Sequence, residues 1–139
     1  MALTSNQPIV DVKDFSRYKQ KTAGGAVTFY RGSLCNFNVA GYVEIATDAA
    51  AKTFAGVALE GLVQTAAESD GDKSITLLPA HSGEVVELTL AGAVIANLNS
   101  EVYIADDSSV ALTATNAVQV GIIVALSSNG ADKCLVKLI

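Results

Sequence analysis

Val118-Gln119-Val120-Gly121-Ile122-Ile123-Val124-Ala125-Leu126, then Ser127-Ser128-Asn129-Gly130-Ala131-Asp132, then Lys133-Cys134-Leu135-Val136-Lys137-Leu138 is the stretch that decides the fold. In an extended chain Val118, Val120, Ile122, Val124 and Leu126 fall on one face, and Gln119, Gly121, Ile123 and Ala125 on the other. Period two is the signature of a half-buried strand. The Asn129-Gly130 pair tolerates the positive φ that tight hairpin turns require, and Cys134, Val136 and Leu138 resume the alternation. Residues 118–138 therefore read as a β-hairpin.

The same pattern continues upstream. Val110 to Thr113, Glu101 to Ala105 and Val94 to Leu98 are short apolar runs, with Asp106-Asp107-Ser108-Ser109 as a turn and Gly92 as a sharp bend. Glu84 to Leu90 alternates with Val86, Leu88 and Leu90 inward, Pro79 to Gly83 breaks, and Ser74 to Leu78 alternates again. Gly61 to Lys73 reads as loop plus strand, with a turn at Ser69-Asp70-Gly71-Asp72. Phe54 to Leu59 is a strand whose Gly56 marks a bulge or a close backbone approach. Thr47 to Lys52 offers a single helical turn capped by Thr47 or Asp48. Ala26 to Tyr30, Leu34 to Val39 and Tyr42 to Ala46 open the series. The fold expected is mainly β: a single small β-barrel or β-sandwich of about ten short strands over residues 26–139.

Residues 1–25 are mostly polar, lack a sustained apolar period and end in Thr22-Ala23-Gly24-Gly25, which reads as a flexible junction. They are expected to form an extended N-terminal arm. Ile9, Val10, Val12, Phe15 and Tyr18 are apolar groups separated by charges, and with Arg17 and Lys19 they could add a strand to another chain's sheet edge. The alternative is that they fold back on their own barrel.

Half of the 139 residues are hydrophobic and 17% are charged, against roughly a quarter in ordinary soluble domains. Such a surface suits docking or self-association. The net charge of −5 is uneven: residues 1–31 carry five cations against two carboxylates, whereas residues 32–139 carry four against twelve. An acidic body repels phosphates, so nucleic acid is not an expected partner. The longest apolar runs, near 90–96 and 120–126, fall far short of the ~18 residues of a membrane-spanning helix. The opening Met1 to Gln7 has neither the basic nor the apolar region of a secretory signal, so synthesis in the cytosol is expected.

The chain is poor in groups that do chemistry. Its single histidine, His81, lies beside Ser82 in a loop, without the spacing of a catalytic pair. Asp70-Gly71-Asp72 and Asp106-Asp107 lack the twelve-residue calcium loop and its terminal glutamate, and read as turn formers. Cys35 and Cys134 lie far apart in apolar strands and are expected to be buried free thiols. With one histidine they cannot make a zinc site, and Gly24-Gly25 is not a phosphate loop. No enzyme, metal or cofactor is expected.

Gly41-Tyr42-Val43, Thr47-Asp48-Ala49-Ala50, Phe54-Ala55-Gly56-Val57-Ala58-Leu59, Leu90-Ala91-Gly92-Ala93-Val94, Val102-Tyr103 and Val118-Gln119-Val120-Gly121 follow one another in an order that resembles the tailed-bacteriophage capsid cement, or head decoration, proteins. The resemblance covers roughly residues 24–138 and rests on turn glycines and strand hydrophobes. It implies a structural virion protein that binds the major capsid protein on the outer surface of the expanded head, as a homotrimer, and stabilises the shell. Other readings of the same β body are a tail-tube, head-completion or fibre-base subunit, or a surface-displayed glycan- or receptor-binding module.

Overall fold

The structure, a computed structural model, describes residues 18–139. The described residues form twelve strands: β1 (Tyr18–Lys21), β2 (Val27–Phe29), β3 (Leu34–Phe37), β4 (Val43–Ile45), β5 (Thr53–Ala58), β6 (Leu62–Gln64), β7 (Ser74–Pro79), β8 (Val85–Thr89), β9 (Glu101–Ile104), β10 (Val110–Ala111), β11 (Gln119–Leu126) and β12 (Lys133–Leu138). The first half of the chain makes one five-stranded sheet in the order β1-β7-β5-β3-β4, covered by the small β2-β6 pair. The second half makes another, in the order β10-β9-β11-β12-β8.

Each five-stranded sheet curls until its edges meet. Thr22, next after β1, forms a parallel bridge with Val43 of β4, and Thr89 of β8 forms one with Ser109 beside β10. Curling pairs edges that would otherwise offer free N–H and C=O groups to other chains. The expected mainly-β class, barrel or sandwich, is the one observed.

Two cores result. Phe29, Cys35, Val43, Ala55, Ala58, Ile75 and Leu77 fill the inside of the first sheet. Leu34, Phe54 and Val57, on its other face, join Val102, Ile104, Val120, Ile123, Val136 and Leu138 of the second sheet in the larger core. This sorting depends on a bulge in β5. Cys35 pairs with Gly56 and Asn36 with Phe54, which leaves Ala55 as the extra residue. Phe54 and Val57 consequently share a face three residues apart, as do Ala55 and Ala58. Of the two alternatives expected of Gly56, a bulge or a close approach, it makes the second beside the bulge at Ala55: at φ +145° it lies where an added Cβ would meet the Leu78 carbonyl oxygen at 2.2 Å.

Several expectations are corrected. The 118–138 hairpin forms, but its apolar side chains do not keep one phase. Against β9, Gln119 pairs with Tyr103 and Gly121 with Val102, so Val120 is an extra residue in β11. Beyond this bulge the inward position passes to Ile123, which is fully buried, while Val124, itself an extra residue against β12 between the Ile123–Val136 and Ala125–Leu135 pairs, is 43% exposed. Each inserted residue shifts the phase of the side chains up to the next one. The turn also differs, because neither Asn129 nor Gly130 has positive φ. The loop is a wider one in which Asn129 Nδ2 and Ser127 Oγ both donate to Glu87 of β8, at 2.7 and 2.6 Å.

Val94 to Leu98 is not a strand but a single 3-10 turn over Ile95–Asn97. Asn97 Oδ1 accepts from the Val94 amide at 2.8 Å, and Asn97 N and Leu98 N donate to Val94 O and Ile95 O. These local bonds satisfy the backbone without a neighbouring strand. Thr47 to Lys52 forms no helical turn; Ala51 takes φ +60° and Asp48 bonds across to Asn116 instead.

Tyr18 to Lys21, within the expected arm, is a strand. Tyr18 to Lys21 pairs antiparallel with Leu77 to Ser74. The expected flexible junction is held from all sides: Thr22 N donates to Lys73 O, Ala23 N to Val43 O and Gly25 N to Glu68 O, and Gly24 N to Asp70 Oδ1 at 2.7 Å. Gln64, buried beneath it, accepts from Thr22 Oγ1 and donates to Ala23 O and Gly25 O. A buried amide with its bonds satisfied fixes the chain around it. Sequence composition carries no signal of such a long-range partner.

Candidate docking interface

Of the residues singled out in the arm, Ile9, Val10, Val12, Phe15 and Arg17 lie outside the described residues. Tyr18 and Lys19 are on β1, opposite Leu77 and Thr76. Both are exposed. Successive residues of a strand point to opposite faces, so Tyr18 lines a groove with Gln20 while Lys19 faces away from it.

Among the described residues no group of three or more His, Cys, Asp or Glu side chains could hold a metal ion. His81 sits exposed in the β7–β8 loop with φ +63°. Burial pushes the Cys35 thiol up to about 12, with the Asp107 charge adding to the effect. Burial likewise raises Cys134. Both sulfurs are free thiols in the core, and a neutral buried thiol is a poor nucleophile.

The aspartates perform the turn work expected of them. Partial burial of Asp106 opposes its ionisation, but hydrogen bonds from the amides and hydroxyls of Ser108 and Ser109, at 2.8–2.9 Å, outweigh it and hold the carboxyl below its ordinary range. Asp48 joins the two halves of the molecule, accepting from Asn116 N at 2.9 Å and Thr115 N at 3.0 Å, and Asn116 Nδ2 returns a bond to Asp48 O. The Asn116 amide lowers its pKa most, with further help from the Asn116 side chain and the Thr115 amide.

The surface feature that stands apart is made by the second sheet. Residues 88–100 and 108–131 contain no Lys, Arg, Asp or Glu. The structure brings the two stretches together: Asn99 N donates to Ile123 O at 2.9 Å and Ile123 N to Ser100 O at 3.0 Å, docking the 3-10 turn against β11. Val94, Ile95 and Leu98 of the turn and Val124 of β11 are all exposed, Ile95 to 74%. The backbone bonds thus set exposed branched apolar side chains of the turn beside β11, with Glu101 and Lys137, both paired with Ile122, as the nearest charges on the neighbouring strands.

Two errors of reading hid this face in the sequence. As a strand, 94–98 would have buried alternate side chains, and an unbroken period in β11 would have turned Val124 inward. The signal that was available is the absence of charge over two long stretches in a chain whose other surface is acidic. No protein-family model, curated protein sequence or solved structure matches the chain.

Proposed function

We propose that the chain is a structural virion protein that attaches to the outer surface of the expanded phage capsid and stabilises it. The observation that carries this reading is the set of exposed apolar side chains, Val94, Ile95, Leu98 and Val124, held by the 3-10 turn and β11 on a curled β scaffold. Its partner is the major capsid protein, and the order of segments that resembles head decoration proteins supplies the identity of that partner and the homotrimeric arrangement. Exposed apolar side chains grouped on one face are the mark of a contact surface. The segment preceding β1, with Tyr18 and Lys19 at its root, provides a second attachment.

A protein that binds only the assembled, expanded lattice stabilises it by mass action. Repetition over the shell lets individually weak contacts sum to a large effect. No catalytic group or cofactor has a part in this role. The test is titration of the full chain onto expanded, undecorated heads, which should give saturable binding and better survival of the heads on heating; heads that bind none of it refute the proposal.

A further inference from the structure

Asn129 is the one asparagine of the chain that glycine follows. Asn129 and Gly130 are both exposed in the connection between β11 and β12. A glycine has no Cβ to screen its amide nitrogen, so that nitrogen can approach the side-chain carbonyl carbon of the asparagine before it. The Asn129 side chain is tied down against this approach. Its Nδ2 donates to Glu87 Oε2 on β8 at 2.7 Å, Ser127 Oγ donates to the same oxygen at 2.6 Å, and Ser127 Oγ accepts from Asn129 N at 3.1 Å. The bond from Ser127, and after it the bond from Asn129, hold the Glu87 carboxyl below its ordinary range, so the acceptor is an anion at neutral pH.

We propose that Asn129 is a self-modification site, where the Gly130 nitrogen displaces the side-chain amide as ammonia, and that Glu87 sets the rate. A bond forms between Gly130 N and Asn129 Cγ, the Cγ–Nδ2 bond breaks, and the Gly130 amide proton ends on the departing ammonia. Water then adds to either carbonyl of the cyclic imide and opens it, leaving aspartate or its β-linked isomer at position 129. Water is the sole co-reactant, and nothing is oxidised or reduced. Ring closure draws Cγ towards the backbone and breaks the bond to Glu87. A hydrogen bond to an anion also polarises the amide and makes Cγ a poorer electrophile. Glu87 therefore acts as a brake. The product carries a carboxylate where a donor stood, opposite a second carboxylate, and like charges at that distance repel. The turn then loses its tie to β8. The site is independent of shell binding and is tested without heads.

The full chain is incubated warm at mildly alkaline pH and mapped by peptide mass spectrometry. Asn129 should convert well before Asn99 and Asn116, which precede serine and alanine. Glu87→Ala should convert about tenfold faster than wild type, as for loss of one charge-assisted hydrogen bond, and Glu87→Gln, which keeps a neutral acceptor, should fall between. Gly130→Ala should slow conversion by about tenfold or more by screening the nitrogen; its Cβ would meet only Lys133 Cγ, at 3.2 Å, on a side chain able to move. The converted protein, separated by its added charge, should melt at a lower temperature than the unconverted. No preference for Asn129 over Asn99 and Asn116 overturns the site. Equal rates in wild type and both Glu87 variants overturn the brake, and equal melting temperatures before and after conversion overturn the loss of the tie.

Discussion

Gly121 of β11 lies so close to Lys137 of β12 that an added β-carbon would stand 2.1 Å from the Lys137 carbonyl oxygen. Backbone cannot retreat there without opening the central pairing of the second sheet. Gly121→Ala should therefore cost about 3 kcal/mol or more, in the range reserved for strain and overpacking. Gly56→Ala adds a positive φ to a comparable clash with Leu78 and should behave alike. Urea denaturation measures both, and an unchanged midpoint would refute the close packing.

The irregularities at Val120 and Val124 make adjacent residues of β11 unequal. Ile123→Ala should lose about 2–4 kcal/mol as a cavity-forming core substitution, whereas Val124→Ala should stay within about 0.5 kcal/mol as a surface one. The unbroken alternation read from the sequence predicts the opposite order. Paired unfolding curves decide between them.

That reversal shows where sequence reading succeeds and where it stops. Strand existence was legible because period-two patterning and turn residues are local: Leu34 to Val39, Glu84 to Leu90 and the final hairpin all appear. Gly56 announced a bulge or a close approach, and the strand has the close approach at Gly56 and the bulge beside it at Ala55. Phase beyond Val120 was not legible, since an inserted residue is defined by its partner on β9. The 3-10 turn at Ile95–Asn97 escaped because Asn97 bonding back to Val94 competes with strand formation in a way apolar counting ignores. The junction at Thr22 to Gly25 escaped because Gln64, about forty residues away, holds it. The candidate interface combines two of these misreadings.

Cys35 and Cys134 should resist a thiol-specific disulfide reagent at neutral pH while the protein is folded. Burial keeps both sulfurs protonated and out of reach. In denaturant both should react fully. Fast labelling of either in the native protein would contradict their place in the cores.

Asp48 ties the β4–β5 connection to the β10–β11 connection, and its carboxyl is held below the ordinary carboxylate pKa chiefly by the Asn116 amide. The folded value being depressed, its contribution is complete above the unfolded pKa near 3.8 and is lost as pH falls through the lowered value. Asp48→Asn should lower the melting temperature at neutral pH and narrow its difference from wild type below about pH 4. Parallel melting curves for the two proteins down to pH 3 would show that the bond contributes nothing.

The most direct test of the account is quantitative co-sedimentation of the full chain with expanded, undecorated heads, comparing wild type with Ile95→Asp. Ile95 is exposed, so the variant should fold with an unchanged melting temperature and an unchanged mass in solution. Wild type should saturate the heads, and Ile95→Asp should bind at least about tenfold more weakly, the cost of burying one unpaired charge at an apolar contact. Equal binding by the two proteins would contradict the assignment of the exposed apolar residues around Ile95 as the docking surface, and failure of wild type to bind at all would contradict the function itself.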